Sequence, residues 1–158
     1  LKRVFKKKGE IIMSNIGNLA FEDARIIFRN FEGKEGKYNR AGDRSFCVII
    51  EDDAAAKQLI EDGWNVKILE PRYDDSLYYI QIAVSYKNIP PEIYLITSHG
   101  KELMTEDMVA ALDYADILTT DIICRPYNWE VNGKTGIKAY LKTMYVTIQE
   151  DQFAGKYQ

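Results

Sequence analysis

Two long β-type runs, Ile117 to Glu130 and Gly136 to Ile148, limit more than anything else what this chain can fold into. They are separated by Val131-Asn132-Gly133-Lys134-Thr135. Asn-Gly accepts the positive φ angles of a tight two-residue turn, so the pair is expected to form a long β-hairpin. Upstream, Ala24 to Phe31 and Arg44 to Ile50 also read as strands, and the polar, glycine-punctuated stretch Glu32 to Asp43 reads as the loop between them.

Asp52 to Gly63 begins with a capping residue, carries Ala and Leu at helical spacing and stops at glycine, which predicts a short helix. Alternation places Trp64, Val66 and Ile68 on one face of a strand, and Tyr78, Ile80, Ile82, Val84 and Tyr86 on one face of another. Pro71, Asp74 and Asp75 supply the turn between them. Glu92 to Thr97 follows Pro90-Pro91 as a further strand. Met104 to Ala115 reads as a second helix, with Thr105 as N-cap, Val109 and Leu112 facing inward and Met108 a third candidate for that face. Strands in runs without a βαβ alternation favour a barrel or sandwich, so the fold class is mainly β, a β-rich α+β chain with about two short helices.

A length of 158 residues suits one domain able to bury a core without disulfides or a structural metal. No apolar run approaches the ~20 residues of a membrane span, and the N-terminus lacks a secretory h-region, so a cytoplasmic protein with no membrane partner is expected. Cys47 and Cys124 lie in hydrophobic strand-like runs without zinc-site spacing and read as reduced core residues. Lys7-Lys8-Gly9-Glu10-Ile11-Ile12-Met13 back-translates to AAA-AAA-GGA-GAA-ATT-ATT-ATG, a purine-rich ribosome-binding sequence before a start codon. This suggests Met13 as the bacterial start, with Leu1 to Ile12 a translated leader or disordered arm and 13–158 the domain. The leader carries Lys2, Arg3, Lys6, Lys7 and Lys8 against Glu10, so the formal charge of −3 becomes −7 without it.

Against that acidic background, two segments concentrate cations and aromatic rings. One, Arg29 to Phe46, contains Arg29, Lys34, Lys37, Tyr38, Arg40 and Arg44. The other, Arg125 to Lys142, holds Arg125, Tyr127, Trp129, Lys134, Lys138, Tyr140 and Lys142 against one acid, Glu130. Period-two geometry puts Arg125, Tyr127 and Trp129 on one strand face and Lys138, Tyr140 and Lys142 on one face of its partner, which together would make a platform. Cations that follow phosphates, beside rings that stack on bases at ~1–3 kcal/mol each, are what a single strand of nucleic acid requires. Phosphate contacts are assigned to Arg29, Lys34, Lys37, Arg40, Arg125, Lys134, Lys138 and Lys142, and stacking to Tyr38, Tyr127, Trp129 and Tyr140. For any one of these side chains, core packing or a solvated face competes evenly with binding; the clustering carries the reading.

Other chemistry has thinner support. Gly133-Lys134-Thr135 ends like a phosphate-binding loop, but Asn128 stands where its first glycine belongs and a hairpin follows in place of a helix. Glu32-Gly33-Lys34 matches an E-x-K nuclease fragment too short to be specific. His99, the single histidine, sits in a loop-like Thr97-Ser98-His99-Gly100 with no partner for a metal site or a nucleophile relay. Neither a cofactor nor catalysis is expected. A protein-binding adaptor or inhibitor using the same aromatics as hot spots is the alternative, and a metal-dependent nuclease around Glu32 and Lys34 stands behind it.

The strings FRNFEGKEGKYNRAGDRSFCVII, DGWNVKIL and IICRPYNWEVNGKTGIKAYLKTMYVTI resemble a group of phage and prophage proteins similar to the phage single-stranded-DNA-binding OB-fold proteins. The resemblance runs from about Asn18 onward. It implies an elaborated OB-like barrel that coats single-stranded DNA during phage replication or recombination. Partners would be phage or host replication and recombination proteins, with homo-oligomerisation open. Glu32 to Asp43 would then be the loop between the first two barrel strands, and Tyr127 to Ile137 the hairpin between the last two, which frame the oligonucleotide face of OB folds. An insertion is implied between the third strand and the last pair. The family's acidic C-terminal tail is not matched by Asp151 to Gln158, where acidity only begins at Glu150 and Asp151.

Overall fold

The computed structural model describes residues 11–14, 17–69 and 77–150. In chain order the elements are β1 (Ile11–Ser14), β2 (Asn18–Phe21), β3 (Ile26–Asn30), β4 (Arg44–Ile50), α1 (Asp53–Asp62), β5 (Val66–Leu69), β6 (Leu77–Val84), β7 (Glu92–Thr97), β8 (Gly100–Met104), a 3-10 helix (Val109–Asp113), β9 (Ile117–Val131) and β10 (Lys134–Ile148). Most of the expected leader, the turn at Pro71, Asp74 and Asp75, and the tail Asp151 to Gln158 lie outside the described residues; Ile11 and Ile12 belong to β1.

The hairpin forms where Asn-Gly places it. Asn132 and Gly133 take φ of 51° and 78°, and Val131 and Lys134 close the turn. This is the turn whose twist matches that of two paired strands. Along β10, Ala139, Leu141, Met144 and Val146 are buried, so the inward set changes parity between Leu141 and Met144. A bulge at Lys142 makes the change: Leu141 faces Cys124, but Thr143 faces Ile123. The bulge also lets one strand serve two neighbours. Before it, Ala139 and Tyr140 pair in parallel with Ile82 and Ala83 of β6; after it, Thr143 to Thr147 pair in parallel with β7.

The barrel runs β3, β4, β6, β10, β9, β2 and returns to β3, because β2 and β3 are two halves of one bent path. At the bend, Ala24 N–H donates to Thr120 O and Thr120 Oγ1 donates to Ala24 O, both at 2.7 Å. Thr120 is fully buried, and these reciprocal bonds satisfy polar groups that would otherwise be costly inside. A bent first strand, a parallel contact between the third and fifth strands and a hairpin of the fourth and fifth give the OB-like barrel. Phe31 stacks on Phe46 with centroids 5.2 Å apart, and Ile80, Ile82 and Leu141 fill the interior beside them.

Helix α1 and β5 lie between the second and third barrel strands. Asp52 caps the helix by accepting from Ala54 and Ala55 N–H, and Gly63 ends it in the left-handed region at φ 103°. The expected insertion before the last pair is the β7–β8 hairpin plus the 3-10 helix.

Two expectations need correction. Met104 to Ala115 is not an α-helix: Met104 pairs with Ile93 as the end of β8, and only Val109–Asp113 turns helically. The remaining segment is too short to hold a helix by itself, and its C-terminal end is fixed by the contacts to Arg29, Phe31 and Glu32 described below. Its N-terminal flank is Met108, not a Thr105 cap, although Val109 and Leu112 are buried as expected. Trp64 does not share a strand with Val66 and Ile68: it precedes β5, is buried and bridges to Ile137, while Ile68 is 53% exposed.

Ile82 lies at the β6–β10 joint with no exposed surface. Ile82→Ala is expected to lower unfolding free energy by about 2–5 kcal/mol in urea titration; an unchanged midpoint would show that the joint lies outside the cooperative core.

Candidate nucleic-acid interface

Antiparallel register places directly opposed residues on the same face of a hairpin. Arg125 opposes Tyr140, Tyr127 opposes Lys138, and Trp129 opposes Gly136, while their neighbours Cys124, Ala139 and Leu141 are buried. The six therefore form one outward platform. Tyr140 is its hub: the Arg125 guanidinium carbon lies 5.2 Å and Lys138 Nζ 5.0 Å from its ring centroid, and Tyr127 meets it edge-on at 5.8 Å. Arg125 Nε is shielded from solvent and has no hydrogen-bond partner among the described residues. A donor left in that state is expensive unless something else accepts from it. Trp129 lies across the hairpin against Gly136, where a Cβ would come within 2.5 Å of its Cζ2. Lys134 stands exposed at the hairpin tip and Lys142 exposed at the bulge.

The loop between β3 and β4 is folded back on itself by side-chain amides. Asn30 Oδ1 accepts from Gly33 and Lys34 N–H, and Asn39 Nδ2 donates to the carbonyls of Lys34 and Asp43 at 2.8 and 3.0 Å. Gly36 and Asn39 exchange backbone bonds, which puts Lys37 and Tyr38 at the tip. Tyr38 is 91% exposed with Lys37 Nζ 5.3 Å from its ring centroid. The base of the loop is tied to the 3-10 helix. The Asp113 carboxylate accepts from Phe31 N–H at 2.7 Å and Glu32 N–H at 3.1 Å, and Arg29 donates to the carbonyls of Leu112 and Ala115 at 2.8 Å.

A groove of about 740 Å3 joins the two segments. Tyr38, Asn39 and Arg40 form its loop wall, Ser45, Gln81 and Ala83 its floor, and Lys138 and Tyr140 its far wall. Tyr86 and Lys87 close one end, with the Arg44 guanidinium over the Tyr86 ring and bonded to Phe31 O and Glu106. The groove floor is the outer face of the second and third barrel strands, the surface that OB folds present to oligonucleotides between these two loops.

The family model described as "Putative phage ssDNA-binding domain" matches residues 9–158. The chain belongs to that family. Among solved structures it is similar to the single-stranded DNA-binding protein of bacteriophage Enc34. With a C-terminally truncated form the TM-score is 0.61 at 14% identity, covering 93% of this chain and 94% of that one. With the same phage protein in complex with ssDNA the TM-score is 0.61 at 14% identity, covering 95% and 97%. No curated protein matches the chain.

For this phage ssDNA-binding domain, the structure sorts the candidate residues into three groups. Tyr38, Arg40, Lys138 and Tyr140 line the groove, and Arg125, Tyr127 and Trp129 continue its far wall. Lys37, Lys134 and Lys142 are exposed, at the loop tip, the hairpin tip and the bulge. Arg29 and Lys34 point elsewhere: Arg29 holds the 3-10 helix, and Lys34 contacts Tyr114 and forms an ion pair with Glu32 at 3.2 Å. Among the described residues no three of His, Cys, Asp and Glu are grouped to hold a metal. Both cysteines are buried and free, and burial pushes the Cys47 thiol up to about 11 and the Cys124 thiol higher still. His99 is exposed in the β7–β8 turn. Sequence reasoning missed Tyr86, Gln81 and Asp113. Gln81 was detectable as a polar residue on the outward phase of an apolar alternation; Asp113 had no local signal, because its partners lie more than eighty positions away.

Asp113→Ala should leave the barrel folded but accelerate hydrogen exchange at the Phe31 and Glu32 amides, with a stability cost of about 1–3 kcal/mol. Equal protection in both proteins would show that the loop base does not depend on this carboxylate. Gly136→Ala should displace the Trp129 indole and red-shift its emission while far-UV circular dichroism stays unchanged, and an unshifted spectrum would refute the packing described.

Proposed function

We propose that this protein coats single-stranded DNA by laying it through the groove between the β3–β4 loop and the β9–β10 hairpin. The supporting observation is the convergence of Tyr38 and Arg40 with Lys138 and Tyr140 on the walls of one groove, although about a hundred positions separate them in the chain. Bases stack on Tyr38, Tyr127, Trp129 and Tyr140, while Lys37, Arg40, Arg125, Lys134, Lys138 and Lys142 follow the phosphates. Contacts of this kind engage ring faces and charge, which every nucleotide offers, so binding is sequence-nonspecific. The acidic remainder of the surface confines the attraction to this side.

The role is protection of single strands during phage replication or recombination in the cytoplasm of the bacterial host, with replication and recombination proteins as further partners. No helix of the described residues is long and apolar enough to cross a membrane. The protein acts by binding, without catalysis or cofactor. The Lys34 side chain engages both the Glu32 carboxylate and Tyr114. The similarity to the Enc34 protein in complex with ssDNA supports this reading.

Fluorescence anisotropy with labelled oligo-dT tests it, with duplex DNA as control. The protein should prefer the single strand and lose affinity steeply as salt rises. Trp129→Ala combined with Lys138→Ala should weaken binding by roughly 5- to 150-fold, the range expected for a lost stack of ~1–3 kcal/mol, and should lower the salt slope by about 0.7 for the lost phosphate contact. Absence of binding at low salt would overturn the proposal and turn attention to the aromatic platform as a protein interface.

A further inference from the structure

Phe28 is exposed on a backbone conformation that a phenylalanine does not choose. Among the described residues, three that are not glycine have positive φ: Asp23, Asn132 and Phe28, the last at 51°. Asp and Asn tolerate the left-handed region because their short polar side chains bond locally, whereas a bulky residue there is a true outlier. The irregularity coincides with a bulge in β3, where Ile27 faces Cys47 but Asn30 faces Ser45, leaving one extra residue on the β3 side.

The bulge changes where the ring goes. In a regular strand, Ile26 inward and Ile27 outward would turn Phe28 inward, toward the core that Phe31 and Phe46 already fill. It stands outside instead, 59% exposed, with its edge against Tyr79 at a centroid distance of 5.9 Å. Little apolar area is buried by this arrangement, so folding does not explain the strain, and strained residues concentrate where a ligand is held.

The surroundings identify the ligand. Tyr79 faces outward from β6 two residues before Gln81, which lies on the groove floor, so the Phe28–Tyr79 pair sits about 7 Å further along the same face. Lys67 of β5 pairs with Tyr79 in register and is exposed. Two rings and a cation thus continue the groove beyond the segments that composition singled out. We infer that Phe28 and Tyr79 form a second stacking subsite for single-stranded DNA, with Lys67 on the adjacent phosphate and the left-handed bulge aiming the Phe28 ring. The inference rests on the proposed binding of single strands in the groove and adds a further stretch of the track.

Because glycine adopts positive φ without penalty, Phe28→Gly should separate folding from binding. Its melting temperature should equal or exceed that of the unmodified protein, while affinity for a long oligo-dT falls at least about fivefold, one lost stack. Phe28→Tyr should keep the affinity, and Phe28→Trp should gain fluorescence quenching on addition of oligo-dT beyond that of the unmodified protein. Oligonucleotides just long enough to fill the groove should bind all four proteins alike. If the unmodified protein binds long oligo-dT, yet Phe28→Gly binds it equally and Phe28→Trp shows no added quenching, the subsite is refuted and the groove reading survives. If no form binds, both fall together. Should Phe28→Gly fail to fold, the ring is structural, and absence of added quenching in Phe28→Trp would complete the refutation.

Discussion

The two-residue parallel contact between β6 and β10 is the constraint on which the rest of the molecule depends. Ala139 and Tyr140 meet Ile82 and Ala83 there, and among the described residues this is the only strand pairing between the hairpin and the β4–β6 pair. The contact sets one face of β10 inward, where Ala139 and Leu141 are buried, and therefore sets Lys138 and Tyr140 outward beside Ser45, Gln81 and Ala83. A slip of one residue would bury Tyr140 and Lys138 and expose Leu141. The groove is thus a by-product of barrel closure, and its chemistry follows from which residues occupy the outward phase of three strands.

Local patterns made much of this readable before the chain was folded. Asn132-Gly133 marked the hairpin, Asp52 and Gly63 marked both ends of α1, and Arg44–Ile50 and Glu92–Thr97 emerged with the expected bounds. Each is a signal carried by neighbours in sequence. The same holds for the platform, since alternation alone aligns Arg125, Tyr127 and Trp129 opposite their partners.

What failed to show in the sequence depends on distant partners. Met104 to Ala115 has helical composition, but Met104 belongs to a strand because Ile93 is there to receive it, and Asp113, the last residue of the 3-10 helix, turns its carboxylate to the Phe31 and Glu32 amides. Arg29 was indistinguishable from Arg40 by composition, yet one is bound to carbonyls of the 3-10 helix and the other faces the groove. Phe28 was hidden for the opposite reason: strand alternation assigns it to the interior, and only the bulge turns it out.

The β3–β4 loop has a thermodynamic consequence through Asn39. One carboxamide reaches the carbonyls of Lys34, Arg40 and Asp43, and Asn30 fixes the opposite limb, so the loop has surrendered most of its conformational entropy on folding. A ligand arriving at Tyr38 meets a wall already in place, and ordering on the protein side takes little from the free energy of association. The disorder that must be overcome then lies mostly in the nucleic acid. Flexible, weakly stacked strands and stiff, self-stacked ones would be distinguished by their own entropy and stacking, even where the protein touches no base edge.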